Sequence, residues 1–300
     1  MLTFALAAAL VFQARGAAHF DSNRAWEHLR QLVAIGPRPS GSPAIEQARQ
    51  YVKDQLATVG LAATEQRWLE DTPAGRLTMV NLMATVPGAR QDRIVIAGHV
   101  DTKRFSEFRF VGASDGGSSG AFLLEMARVL KTRKHRFTIE LLFLDGEEAV
   151  NAEWAGADNT YGSRHYVEMG KRDGSLSSLK ALVLVDMIGD RNLHVKRDTN
   201  STPWLSDAIW SAAHRLKLDS VFLRCPDARR SPCSTAVEDD HLPFLKAGIP
   251  AVDIIDLDYE PWHTPGDTLD AVSARSLQVI GDVVLAALPK IEGRLRRSSR

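Results

Sequence analysis

Glu147 and Glu148 stand side by side after the apolar run Leu141–Leu144 and the pair Asp145-Gly146. The run reads as a buried strand, which Asp145-Gly146 ends. In open α/β sheets, ligands bind at the C-terminal ends of the strands. Two adjacent carboxylates at such an end repel each other unless a cation or a shared proton relieves them. Neighbouring side chains also point differently, so one can bind a metal while the other handles protons. Taken alone, the pair is more simply a solvated charged loop, the usual fate of acidic side chains.

Other residues of the same chemistry recur at comparable places. His99 and Asp101 follow a predicted strand at Arg93–Gly98, and Asp115 lies in the glycine-rich loop GASDGGSSG. Glycine lets backbone approach a ligand closely there. Asp186 ends a strand at Leu182–Val185, and His263 lies in PWHTPGD after the last strand. A catalytic zinc takes three protein ligands from His, Asp and Glu and keeps a fourth position open. His99, Asp115, Glu147, Glu148, Asp186 and His263 are the right residue types. Each also has a plainer reading: Asp115 as a cap for the helix starting near Ser118, His263 as a loop histidine, Asp186 and Asp190 as strand ends.

The elements that must position them follow from periodicity. Helical spacing of Trp26, Leu29, Leu32 and Val33 predicts a helix over 23–35, and Ser42 with Pro43 starts another that ends before Gly60. Strands are expected at 77–86, 93–98, 137–144, 182–185 and 249–255. Helices are expected at 118–132, 161–170, 202–216 and 242–247, and a last one from 271 to 291 that ends or breaks near Pro289. Strands alternating with helices predict an α/β fold, a single domain with a central mixed, mostly parallel twisted sheet and helices on both faces.

The totals narrow the function class. The 300 residues carry 37 basic and 37 acidic side chains, so neither nucleic acid nor an anionic membrane has an electrostatic claim on the chain. The basic tail from Arg294 to Arg297 reads as a solvated end. Leu2–Phe12 is apolar and is followed by Gly16-Ala17-Ala18. It resembles the apolar core and cleavage site of a secretory signal, without a basic residue ahead of it. It is short for a membrane span. The expectation is a signal over 1–18, a catalytic domain over 19–300, and export to the periplasm or the medium. An uncleaved anchor is the lesser alternative. Cys225 and Cys233 lack CxxC spacing and suit either a small disulfide loop or free thiols.

Five stretches, AGHVDT, GASDGGSSG, FLDGEEA, DMIGD and PWHTPGD, resemble the motif set of the M28 zinc peptidases. Further stretches from 99 to 103, 110 to 113, 161 to 165, 238 to 241 and 262 to 264 are most similar to its glutaminyl-peptide cyclotransferase branch. The similarity runs from about Phe20 to Leu288. It implies a zinc-aminopeptidase-like architecture and one zinc held by Asp115, Glu148 and His263. Glu147 would be the general acid and base, sharing protons with Asp186 and Asp239. Trp262 and Lys103, and less securely Trp154, would line the substrate pocket. The substrate would be a peptide or protein N-terminus, cyclised from glutamine to pyroglutamate with loss of ammonia. A monomer is expected, with no nucleic-acid partner and no lasting membrane association after processing.

The rival is an M28 aminopeptidase with two zinc ions. There His99, Asp115 and Asp186 would hold the first, Asp115, Glu148 and His263 the second, Glu147 would activate a water and Asp101 would orient His99. All of these ligands are present. Asp239 adds an acid that hydrolysis does not need. Lys103, read as either a solvated lysine or a charge near the first metal, would disfavour that ion. A non-catalytic binding module would predict a broken ligand set. A nucleotide site would need a glycine pattern that is not there. Two departures from the cyclase pattern, Asp190 and Asp253, predict a more acidic pocket. Residues 198 to 202 are a candidate substrate rim.

Overall fold

The computed structural model describes residues 18–224 and 233–298. The expected signal, up to its cleavage site, and Cys225 lie outside the described residues. Cys233 is buried and is not a free thiol.

The inner strands form where β-branched and apolar residues run together. In chain order the strands are β1 (Ala63–Thr72), β2 (Gly75–Val86), β3 (Arg90–His99), β4 (Phe137–Leu144), β5 (Leu179–Asp186), β6 (Arg197–Asp198), β7 (Ser234–Thr235) and β8 (Ala251–Ile255). Six of them make the central sheet, ordered β1-β2-β4-β3-β5-β8. β1 pairs with β2, and β2 with β4, antiparallel; β4, β3, β5 and β8 run parallel. β6 and β7 pair apart from it.

The helices are α1 (Ser22–Ile35), α2 (Pro43–Thr58), α3 (Ser119–Lys131), α4 (Tyr161–Arg172), α5 (Pro203–Arg215), α6 (His241–Lys246) and α7 (Ala274–Ser298). Alternation along the strands sorts them onto two faces. Ile94 and Ile96 of β3 join a core with Leu29, Ile45, Leu205 and Leu277, from α1, α2, α5 and α7. Val95 and Ala97 join the opposite one with Tyr166 of α4 and Phe244 of α6. Helices therefore cover both faces, as the periodicity predicts.

Besides the two-residue strands β6 and β7, two elements differ from expectation. β1 carries a mostly polar sequence that does not predict a strand; it forms because a tight hairpin pairs it residue by residue with β2, from Ala63 opposite Ala84 to Thr72 opposite Gly75. α7 runs through Pro289 to Ser298. Proline removes one hydrogen bond and crowds the preceding turn, but the buried stripe continues across it, with Leu285 and Leu288 before and Ile291 and Leu295 after.

Candidate active site

Because β3, β4, β5 and β8 are parallel, their C-terminal ends open on one side of the sheet. His99 is the last residue of β3, Asp186 the last of β5, and Glu147 and Glu148 lie just beyond the end of β4. Asp115 comes from a kinked turn at Ala113–Ser118, where Gly116 has φ +77° and a Cβ would meet the Asp101 carbonyl at 2.3 Å. Only glycine fits that position. His263 follows β8 with φ +54°, an uncommon conformation for its type. All the acids and imidazoles expected from sequence come together here. The Asp115 side chain does not cap α3, whose start has no side-chain cap bond.

Asp115, Glu148 and His263 face one another. His263 Nε2 lies 3.4 Å from Asp115 Oδ2 and 3.4 Å from Glu148 Oε1. Asp115 Oδ2 and both Glu148 carboxylate oxygens are buried without a hydrogen-bond partner. Tetrahedral zinc with bonds of about 2.0–2.1 Å spaces its ligand atoms about 3.3–3.4 Å apart. The donor set and its spacing therefore fit a zinc ion.

The neighbouring trio behaves differently. His99 Nε2 bonds Asp186 Oδ1 at 2.9 Å and lies 3.2 Å from the other oxygen of Asp115. Asp186 Oδ1 also accepts the Met187 N–H at 2.7 Å. On its far side, His99 Nδ1 lies 3.5 Å from Asp101 and 3.7 Å from Glu147. Burial opposes charge on this imidazole, but Asp186 and Glu147 outweigh it and raise its pKa well above 6.5.

Glu147 and Glu148 are both buried, and burial is the main reason both carboxyls hold protons more tightly than usual. Glu147 is pushed well above its ordinary value, with Glu148, Asp239 and Asp186 adding repulsion against the pull of His99. Glu148 is raised to about 7 by burial and then Asp115. Asp239 is raised to about 8 by burial and then Asp186. His263 is raised to about 9, its burial outweighed by the Asp115 and Glu148 carboxylates beside it.

A cavity of about 360 Å³ opens beside these groups. Trp262, Trp154, Lys103, Asp186 and Asp239 line it together with the three facing residues and Glu147. Trp262 is 43% exposed and stacks near His263, ring centres 4.5 Å apart. Lys103 is not a solvated lysine. It is buried, donates to the Ala149 and Asn151 carbonyls at 2.9 and 3.1 Å, and has Glu148 as its carboxylate neighbour at 3.9 Å. Its three donors suit loop carbonyls, and it holds the chain just after the acidic pair.

Of the two extra acids, neither lines the cavity, but Asp253 lies against Asp239, which does. Asp190 accepts from the Asn192 N–H and does not line the cavity. Asp253 is fully buried behind it, 3.8 Å from His241. None of residues 198 to 202 lines the cavity, and Asp198 is buried and accepts from Ser201, Asn200 and Val237.

Several positioning residues are invisible in the sequence. Asp145, which reads only as a strand end, is fully buried, pairs with Arg49 of α2, and accepts from Ser40 at 2.6 Å and the Val80 N–H at 2.7 Å. Arg38 is fully buried and donates to the carbonyls of Val100, Val111 and Gly112, bracing the loop that leads to Asp115. Asp267 accepts the Ser114 and Asp115 N–H groups at 2.7 and 3.1 Å and so aims the Asp115 side chain. Asp267 stands in the PWHTPGD stretch, the one signal that marks any of them. Asp101, expected to orient His99, also lies 3.4 and 3.5 Å from the N–H groups of Glu147 and Glu148.

The parallel strand ends, the buried acids and the cation-ready trio define a metal-dependent α/β enzyme site. The profile of Peptidase family M28 matches residues 81–288, and the chain belongs to that family. A Mus musculus relative, a glutaminyl-peptide cyclotransferase-like protein, is 32% identical over 276 residues, spanning 83% of this chain and 70% of its own length. The crystal structure of an Acidobacteriales bacterium glutaminyl cyclase is 39% identical, with TM-score 0.85 and coverage of 97% of this chain and 100% of that one. A leucine aminopeptidase precursor from Bacteroides thetaiotaomicron shares the fold, with TM-score 0.80, 23% identity and coverage of 91% and 99%.

Proposed function

We propose that the chain is a zinc-dependent glutaminyl-peptide cyclotransferase, closing the N-terminal glutamine of peptides to pyroglutamate and releasing ammonia. The observation that carries the reading is the contrast between two trios: one has ligand atoms 3.4 Å apart with unpartnered oxygens, the other is closed by a hydrogen bond. That favours one ion over two. The 39% identity to a solved glutaminyl cyclase over nearly the whole chain supports the same branch.

Asp115, Glu148 and His263 would hold the zinc, which supplies Lewis-acid polarisation of the side-chain amide. Glu147 takes a proton from the α-amine, so that the nitrogen can attack the amide carbon and close a five-membered ring. The same carboxyl then gives the proton to the departing nitrogen, which leaves as ammonia. A carboxyl doing both needs a raised pKa, and burial beside Glu148, Asp239 and Asp186 provides it. Asp186 and Asp239 share the proton load. Trp262 and Trp154 wall the glutamine pocket, and Lys103 fixes the loop behind Glu148.

Export after cleavage near residue 18, a catalytic domain over 19–300 and a monomeric state complete the proposal. No described helix is long and apolar enough to cross a membrane. The test is a pair of peptides followed by mass. A glutamine-initiated peptide should lose about 17 daltons, the mass of the departing ammonia in the ring closure above, while a leucine-initiated peptide stays intact. Release of free leucine would establish the aminopeptidase instead.

A further inference from the structure

A second cavity, about 190 Å³, adjoins the first and shares Trp154, Glu238 and Asp239 with it. Beyond that common wall it is lined by Asn159, Arg164 and Lys246. Arg164 spends its guanidinium on main-chain carbonyls, from Nε to Asn159 at 3.2 Å and from one η nitrogen to Ala157 at 2.7 Å and Asn159 at 3.0 Å. Its plane lies over the Tyr161 ring, 4.9 Å from the centroid. Lys246 is exposed. Among the described residues neither cation is paired with a carboxylate.

The remaining polar groups there are also biased towards donation. The Asn159 amide oxygen already accepts the Thr160 hydroxyl at 3.0 Å, which leaves its two N–H donors. Thr160 is held at φ +44°, an uncommon and strained conformation for a β-branched residue. Its N–H bonds the Glu147 carbonyl at 2.8 Å. The wall of the second cavity is thus tied directly to the backbone of the acid in the first.

We propose that this cavity is the subsite for the peptide beyond its terminal glutamine, and that it selects an acidic side chain at the third residue. The inference rests on the cyclotransferase reading, which supplies the peptide and its direction. Extended backbone advances about 3.3–3.6 Å per residue, so the second residue crosses the shared wall and the third enters the cavity. Glu153 lines the first cavity and Glu238 the wall common to both, and both are exposed; they disfavour an acid at the second position. Past the wall the balance reverses to two unpaired cations and amide donors, a set that matches a carboxylate.

The test compares three peptide amides, Gln-Ala-Glu-Ala, Gln-Ala-Lys-Ala and Gln-Ala-Ala-Ala, by ammonia release from the zinc-loaded full chain. The glutamate peptide should exceed the lysine peptide about three- to fivefold in kcat/KM, the range a partly solvated ion pair supplies. The difference should lie in KM and shrink with added salt. In Lys246→Glu the preference should vanish or reverse; in Lys246→Arg it should persist. Equal kcat/KM on all three peptides, or an unchanged preference in Lys246→Glu, would overturn the subsite alone. Silence on all three would overturn the cyclotransferase reading with it.

Discussion

Two trios share Asp115 and meet opposite fates. On the His263 side, Asp115 Oδ2, Glu148 Oε1 and His263 Nε2 are spaced like metal ligands, and their buried oxygens have no protein donor. On the His99 side, the imidazole bonds Asp186 directly at 2.9 Å and is flanked by Asp101, Asp115 and Glu147. A buried imidazole among four carboxylates is itself the compensating cation. On the one-zinc proposal, the same residue types would make a metal site in one place and a self-neutralised ion cluster a few ångströms away. Partner geometry, and not residue type, separates them.

Breaking each side gives unequal effects. Glu147→Gln keeps the size and polarity of the side chain and should retain zinc while losing about 10²–10⁴-fold in kcat, the range for general acid–base catalysis. A variant with near wild-type turnover would remove Glu147 from that role. His263→Ala should bring bound zinc, measured by elemental analysis, close to zero. His99→Gln should leave it near one equivalent. If the two variants lose metal alike, the distinction between the trios fails.

Arg49→Ala tests the frame that holds the acidic pair. It strands buried Asp145, and losing one partner of a buried ion pair costs about 3–5 kcal/mol. Urea unfolding should show that loss. A change near zero would make Asp145 self-sufficient through Ser40 and Val80.

The smallest effect concerns pH. Asp239 binds its proton more tightly folded, up to about 8, than its ordinary value of 3.8. Its contribution to stability is therefore fully present below about pH 4 and lost as pH rises towards and through 8. In Asp239→Asn the fall in metal-free unfolding free energy between pH 5 and pH 8.5 should be shallower. An identical fall would place the titration elsewhere.

Legibility in the sequence follows locality. His99, Glu147, Glu148 and Asp186 can be found because a strand end is marked by a run of apolar residues, and the fold aligns those ends. The sheet and nearly every helix can be read for the same reason. Asp239 has no such marker; it precedes the short α6 and is reached only through resemblance. The burial of Arg38, Arg49 and Asp145 leaves no mark in the sequence because their partners lie 62 to 96 positions away in the chain, and no periodicity reports such a pairing. β1 escapes periodicity because its hairpin partner, and not its own mostly polar residues, makes it a strand. The burial of Lys103 escapes the sequence for the same reason, since the carbonyls it meets, those of Ala149 and Asn151, lie 46 and 48 positions away.

One catalytic ion in a ring-closing enzyme is tested most directly by titrating metal-free protein with zinc and following ammonia release from a glutamine-initiated peptide. Activity should rise linearly and level off at one equivalent. A rise that continues to two equivalents, or release of a free amino acid in place of ammonia, would contradict it.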